Sequence, residues 1–131
     1  MSNTDLEELY SLRGRSTTRE VVYAELHRRS EALRSRPDLL VDLSYGATPR
    51  EHIDVFTQQG GAPVFIFVHG GYWRALEKDI FLAVCAPFAD RGFVTANVDY
   101  GLRPDFTVPD IVAQVLRAIT FIACNATSYG G

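Results

Sequence analysis

The sequence predicts an α/β fold in which a mostly parallel sheet is flanked by helices. Three observations predict it. From residue 45 onward, strand-like segments alternate with segments of helical periodicity, an order typical of α/β domains. The segment Val64–Val68 is apolar on both faces, as a strand covered by helices on both sides must be. With 131 residues and 47% hydrophobic content, the chain is long enough to bury one ordinary core.

Two capping boxes of the form T-x-x-E, at Thr4 and Thr17, predict two helices near the N-terminus. In such a box the hydroxyl and the carboxylate each accept a free backbone N–H of the first turn. The second helix should end before Pro37, because the residue before a proline avoids the helical conformation. We therefore expect residues 1–44 to be an N-terminal helical segment and residues 45–131 to be the α/β part.

The stretch LLVDLSYGATPR is predicted to be irregular because it contains Gly46 and Pro49. The alternating pattern of HIDVFT then predicts a strand, and QQGGA predicts a turn. Residues 77–91 have helical periodicity that aligns Ile80 with Val84 and Phe88, and Gly92 is placed to end that helix.

The segment FVTANVDY predicts a further strand, and GLRPDFTV predicts a loop. A last helix should begin near Pro109, since proline suits the first turn of a helix. Its apolar face recurs at steps of four, three and four residues, at Ile111, Val115, Ala118 and Ile122.

The amino-acid composition argues against some classes of binding partner and indicates the cellular compartment. A net charge of −3 argues against nucleic acid or an anionic membrane surface as the main partner, because both bind clustered lysine and arginine. The N-terminal sequence MSNTDLEELY does not resemble a signal peptide, and wholly apolar stretches such as APVFIFV are far shorter than a membrane span. Cys85 and Cys124 are expected to be buried, reduced thiols. We expect a cytoplasmic protein without a metal site.

The strongest functional signal is HGGYW, which follows the apolar strand directly. Glycines at the carboxyl end of a strand bring backbone N–H groups close to a ligand, and consecutive free N–H groups can bind the oxyanion of acyl transfer. A dinucleotide-binding turn would require G-x-G-x-x-G, which Gly70 and Gly71 do not form. A glycine-rich turn with no chemistry remains an alternative.

Three stretches together, FVHGGYW, VDYGLRP and NATSYGG, resemble the N-terminal half of an α/β-hydrolase of the kynurenine formamidase (arylformamidase) and carboxylesterase group. The resemblance covers about residues 45–131. It implies an oxyanion hole at Gly70, Gly71 and Tyr72, with Trp73 shaping the substrate pocket. It also implies that His69, beside that pocket, is a structural residue of the loop, and that no cofactor or metal is used.

The catalytic triad of such a hydrolase is missing from the sequence. No serine stands in G-x-S-x-G, and the nearest match is Ser128 in ATSYG, where only three residues follow it. All three histidines precede the position where the family places its catalytic histidine. We therefore expect a fragment that is truncated before the nucleophile elbow, is inactive alone, and exposes the edge of Val64–Val68 that the next strand would cover.

Two functions are consistent with these features. The first is a serine hydrolase acting on a small aryl formamide or ester, of which this chain is the N-terminal part. The second is a non-catalytic module or degenerate hydrolase that binds a small molecule without turnover. Pairing of two copies into a homodimer is left open.

Overall fold

A computed structural model describes residues 17–131, so the helix predicted at Thr4 lies outside the described residues. The elements, in chain order, are helix α1 (Thr17–Leu33), strands β1 (Leu39–Ser44), β2 (His52–Phe56) and β3 (Val64–Val68), a 3₁₀ turn (Lys78–Ile80), helix α2 (Leu82–Ala89), strand β4 (Val94–Val98), helix α3 (Val108–Asn125) and a second 3₁₀ turn (Ala126–Tyr129).

The four strands form one mixed sheet in the order β1-β2-β4-β3. The α/β fold with a sheet flanked by helices is confirmed, but the expected parallel arrangement holds only for β3 and β4. Strand β2 runs antiparallel to both β1 and β4. The connection between β2 and β3, residues 57–63, explains the difference, because a parallel crossover needs a dozen or more residues.

Strand β1 corrects the prediction of an irregular stretch after residue 38. Its ends pair with β2, Leu39 with Phe56 and Ser44 with His52, and the register shifts between Leu40 and Leu43. This bulge interrupts the alternation of buried and exposed residues, so the strand has no clear period of two in the sequence. The expected helical segment at residues 1–44 therefore ends in a strand of the main sheet.

Each face of the sheet has its own apolar core. On one face, Ala118 and Ile122 of α3 pack against β2 and β4; the buried strand residues there are Ile53, Val55, Val94, Ala96 and Val98. On the other face, helix α2 and the end of α1 cover Leu39 and Phe56. The sheet is thus the middle of three layers, as predicted. The strand from which we predicted it, β3, lies at an edge of the described sheet and is half-exposed, whereas the buried strands are β2 and β4.

Helix α2 is shorter than the predicted helix at residues 77–91. The 3₁₀ turn at Lys78–Ile80 comes first, α2 begins at Leu82 and contains Pro87, and Gly92 follows it with φ of 88°. Gly92 therefore ends this helical region as predicted. The buried face differs from the predicted one, because the turn changes the helical phase: it consists of Leu82, Ala83, Cys85, Ala86 and Ala89.

Helix α3 begins as predicted, with Pro109 in its first turn. Thr107 and Asp110 form a capping box, in which the Asp110 N–H donates to Thr107 Oγ1 over 3.3 Å and the Thr107 N–H donates to Asp110 Oδ2 over 2.8 Å. Of the predicted inner face, Ile111, Ala118 and Ile122 are buried and Val115 is half-buried.

The same helix has the length and composition of a membrane span. The segment Val108–Tyr129 reaches a mean hydropathy of 1.4, although its wholly apolar stretches are short. These criteria are met equally by core helices of soluble proteins. Here the inner face packs on the sheet, whereas Val112, Leu116 and Ile119 on the outer face are exposed.

The two cysteines differ in exposure. Cys85 on α2 is buried, as expected, and burial raises the pKa of its thiol to about 12. Cys124 on α3 is exposed, so the expectation that it is buried was wrong. It lies on the outer side of a helix whose inner face is occupied by Ala118 and Ile122.

Candidate active site

The HGGYW loop, residues 69–76, lies at the carboxyl edge of the only parallel strand pair among the described residues. It follows β3, and Asp99 and Tyr100 follow β4 at the same edge, because Val68 and Val98 are paired. In α/β sheets this edge is where ligands bind.

The backbone of this loop is left-handed at four positions. The φ angles are 126° at Gly71, 59° at Tyr72, 58° at Trp73 and 74° at Leu76. Non-glycine residues occupy this region infrequently, at a cost of about 1–3 kcal/mol each, and such residues cluster at ligand sites. A Cβ on Gly71 would lie 2.0 Å from the carbonyl oxygen of Ala75, so the loop closes only with glycine there.

The turn leaves four consecutive N–H groups free. The N–H groups of Arg74 and Ala75 both donate to the carbonyl oxygen of Gly71, over 3.1 and 3.2 Å. By contrast, the N–H groups of residues 70–73 donate to no acceptor in the described part of the chain. Successive N–H groups in a left-handed turn form a concave site for an anion.

His69, the first residue of the loop, is buried and held by its neighbours. Its ring is buried, stacks on Tyr100 at a centroid distance of 4.3 Å, and faces Phe81 on the other side. Nε2 donates to Asp99 Oδ1 over 2.9 Å, and the Tyr100 hydroxyl donates to the His69 carbonyl oxygen over 2.5 Å. With its ring held on three sides, His69 supports the loop that follows it.

Asp99 joins the loop to the rest of the sheet. Besides His69, its Oδ1 accepts a hydrogen bond from Arg50 Nη2 over 2.8 Å, and its carbonyl oxygen accepts one from Tyr45. Burial raises the pKa of Asp99, but the hydrogen bonds from His69 and Arg50 and the positive charge of Arg50 lower it by more, so that the pKa lies below its ordinary value. Asp99 is therefore ionised, and its carboxylate holds His69 and Arg50 together by hydrogen bonds.

A cavity of about 230 Å³ opens beside the loop. Its walls are mainly apolar and come from the end of β3, the loop, the segment after β4 and helix α3: Val68, His69, Trp73, Tyr100, Ile111, Val112, Val115 and Leu116. His69 and Trp73 line this cavity, whereas the Tyr72 side chain points away into solvent and is 84% exposed. The cavity can hold an apolar or aromatic group beside the free N–H groups.

Ser128 lies away from this site. It belongs to the second 3₁₀ turn, where the Ala62 N–H, just before β3, donates to the Gly130 carbonyl oxygen over 2.9 Å. The turn is therefore at the amino end of β3, and the HGGYW loop is at its carboxyl end. The segment ITFIAC before Ser128 is part of α3, not a strand leading to a nucleophile elbow.

The remaining candidates for chemistry are dispersed. His27 is on α1, and His52, at the start of β2, contacts the Pro49 carbonyl oxygen over 2.9 Å. No serine hydroxyl bonds to a histidine ring within residues 17–131, and the same residues contain no group of three histidine, cysteine or carboxylate side chains that could hold a metal ion. Arg50 was missed by the sequence analysis because it is 49 positions from Asp99 and lies in a stretch predicted to be irregular.

Comparison with known proteins gives a consistent result. The family model BD-FAE matches residues 53–131. Kynurenine formamidase of Danio rerio is 30% identical over an alignment of 131 residues. The match covers 93% of this chain and 45% of that protein. The isoprenylcysteine alpha-carbonyl methylesterase of Arabidopsis thaliana is 31% identical over 90 residues, which cover 66% of this chain and 21% of that protein.

Among solved structures, a protein provisionally described as a thioesterase from Silicibacter sp. TM1040 superposes with a TM-score of 0.70 and 28% identity, covering 88% of this chain and 44% of that one. Several other matching structures are esterases. The chain spans less than half the length of the curated relatives it matches. The family model shows that the chain belongs to the BD-FAE family, and the matching structures show that it has part of an α/β-hydrolase fold.

Proposed function

We propose that the protein is a serine hydrolase of the esterase or formamidase type, in which Gly70, Gly71 and Tyr72 form the oxyanion hole. One observation carries this proposal: residues 70–73 present four adjacent N–H groups that have no acceptor among the described residues. The tetrahedral intermediate of acyl transfer concentrates negative charge on one oxygen, and fixed N–H donors stabilise that charge.

The nucleophile is proposed to come from the remaining length of the full protein. Strand β3 is at an edge of the described sheet, and Val64 and Val68 at its ends are 40% and 38% exposed. A further strand paired with this edge would end next to the HGGYW loop, and a serine after that strand would face the free N–H groups. The family's order of serine, acid and histidine fits this placement.

The proposed reaction combines these free N–H groups with the serine and histidine of the full protein. The serine hydroxyl attacks the substrate carbonyl carbon while a histidine takes its proton, and the carbonyl oxygen becomes an oxyanion bound by the Gly71 and Tyr72 N–H groups. Collapse of the intermediate breaks the ester or amide bond, and the histidine returns the proton to the departing alcohol or amine. Water releases the acyl group by the same two steps.

The substrate class is proposed from the cavity and from the relatives. A mainly apolar cavity of about 230 Å³ beside the loop favours a small ester or formamide with an aromatic or hydrophobic group. Matching relatives are named for a formamidase and a methylesterase activity. We place aryl formamides and aryl esters as the first substrates to assay.

The test uses the full-length protein, assayed with formanilide and with phenyl acetate. We expect hydrolysis of at least one of them, and loss of most activity in Gly71→Ala, which cannot keep the loop geometry. A fluorophosphonate probe, which reacts with activated serines, should label the protein once per chain. Absence of both hydrolysis and labelling in the wild-type protein would contradict the proposal.

The second candidate is a non-catalytic binding module. It is favoured by the absence of any serine–histidine pair within residues 17–131. It predicts that the full-length protein binds phenyl acetate or formanilide without turnover, so the same assay decides between the two functions.

A further inference from the structure

Arg50 makes two contacts that bracket the HGGYW loop. It lies just before β2, and its Nη2 donates to the Leu76 carbonyl oxygen over 2.7 Å and to Asp99 Oδ1 over 2.8 Å. Asp99 in turn holds His69, the first residue of the loop. The two ends of residues 69–76 are therefore connected through one arginine–aspartate pair.

The far end of the loop depends on this arginine. Leu76 has φ of 74°, a conformation that a leucine keeps only when its surroundings hold it. The start of the loop has its own anchors, the Tyr100 hydroxyl on His69 and the Arg103 N–H on the Trp73 carbonyl oxygen. Within the described residues, the side chain that donates a hydrogen bond to the Leu76 carbonyl oxygen is that of Arg50.

The ion pair of Arg50 and Asp99 is also largely shielded from solvent. The Asp99 side chain is 11% exposed and that of Arg50 is 31% exposed, so solvent screens their attraction only in part. The groups that face the pair from other elements are the His69 ring, the Tyr45 and Tyr100 side chains, and the Glu51–Arg117 ion pair between the β2 entry and α3.

We propose that Arg50 is a positioning residue of the oxyanion loop: by fixing the Leu76 carbonyl and the Asp99 carboxylate together, it sets the direction of the free N–H groups of residues 70–73. The proposal rests on the proposed hydrolase function for its kinetic consequence. Arg50 touches no reacting atom and acts only through the loop.

The experiment compares three variants of the full-length protein, Arg50→Gln, Arg50→Lys and the control Arg36→Gln. Arg36 is a matched control because its side chain is 26% exposed and bridges two carboxylates, Asp38 and Asp90, at the opposite end of the sheet. Measured quantities are kcat and KM for phenyl acetate, their pH dependence, and the melting temperature.

We expect Arg50→Gln to lower kcat by at least about tenfold with KM changed by less than about twofold, because misdirected N–H groups weaken binding of the oxyanion more than binding of the substrate. The loss of kcat that protonation of Asp99 causes at low pH should begin at a higher pH in Arg50→Gln, because Asp99 loses a positive neighbour that lowers its pKa. Arg50→Lys should restore part of kcat, since an ammonium group can donate to both oxygens. Arg36→Gln should leave kcat unchanged.

A kcat of Arg50→Gln equal to that of Arg36→Gln would overturn the positioning role. If the wild-type protein shows no hydrolysis, the proposed function fails, and hydrogen exchange then tests the positioning role independently. The Arg74 and Ala75 amides, which donate to the Gly71 carbonyl oxygen, should exchange at least about tenfold faster in Arg50→Gln than in Arg36→Gln; equal exchange in the two variants would overturn the inference.

Discussion

His69 Nε2 lies 2.9 Å from Asp99 Oδ1, and this contact joins the residue after β3 to the residue after β4. The two residues are 30 positions apart in the sequence but follow paired strands, Val68 beside Val98. The HGGYW loop is built on this contact, so the first prediction concerns the aspartate.

Asp99→Asn should destabilise the protein by about 1–3 kcal/mol at neutral pH, because the variant loses the charge that the buried His69 and the half-buried Arg50 bind. The folded-state pKa of Asp99 lies below its unfolded value, so its contribution is complete above about pH 3.9 and is lost as pH falls through the folded pKa. Urea denaturation at pH 7 and pH 3 measures both quantities. A difference between wild type and variant that grows toward pH 3 would contradict this account.

Gly71→Ala should disrupt the loop, since the new Cβ would lie 2.0 Å from the Ala75 carbonyl oxygen and the residue has φ of 126°. We expect a loss of about 1–3 kcal/mol in the free energy of unfolding. Gly60→Ala is the matched control, because no atom lies within 4 Å of its Cβ position. Thermal denaturation of both variants tests the difference, and an equally mild effect would show that the loop tolerates a side chain.

Lys78→Met should be strongly destabilising, by about 3–5 kcal/mol. Lys78 is the only lysine in the chain and is buried, where Nζ contacts Asp42, Asp54 and Asp79 over 2.7, 2.9 and 3.0 Å. Burial lowers the pKa of Lys78, but the carboxylates raise it above the ordinary value. Its removal leaves the carboxylate of fully buried Asp54 without a counter-ion.

The control for Lys78 is Arg28→Met, which removes an exposed pair with Glu25 on α1. Such surface pairs contribute little, so we expect no measurable change in urea denaturation. Similar effects of the two substitutions would show that the buried cluster does not need its lysine.

The open edge of β3 should make the 131-residue chain self-associate when it is expressed on its own. Unpaired edge strands bind other edges, and two copies joined here would form a dimer. Val64→Lys should reduce association, because an edge lysine opposes pairing, while Val21→Lys on the exposed face of α1 should not. Light scattering after size-exclusion chromatography measures the mass; a concentration-independent monomer in the wild-type chain would refute the edge as a pairing site.

The sequence predicted the core of the sheet and the loop because their signals are local. The apolar run of β3 indicates a strand, the glycines after it indicate a tight turn, and Pro109 marks the start of α3. These features depend on neighbouring residues, and the structure places them as expected.

Features that depend on distant residues were not predicted. The bulge at Asp42 removes the alternation of β1; there the backbone has φ of 54°, and the Asp42 N–H donates to Asp54 Oδ1 on the neighbouring strand. The antiparallel direction of β2 follows from a short connection, and the link from Arg50 to Asp99 spans 49 positions. Only the three-dimensional sheet brings such pairs together.

The most direct test of the proposed oxyanion hole is a crystal structure of the full-length protein after reaction with a diethyl aryl phosphate. We predict a phosphoryl group on a serine, with its oxygen 2.7–3.1 Å from the backbone nitrogens of Gly71 and Tyr72. An adduct whose oxygen lies away from residues 70–73, or a protein that forms no adduct, would contradict the central claim.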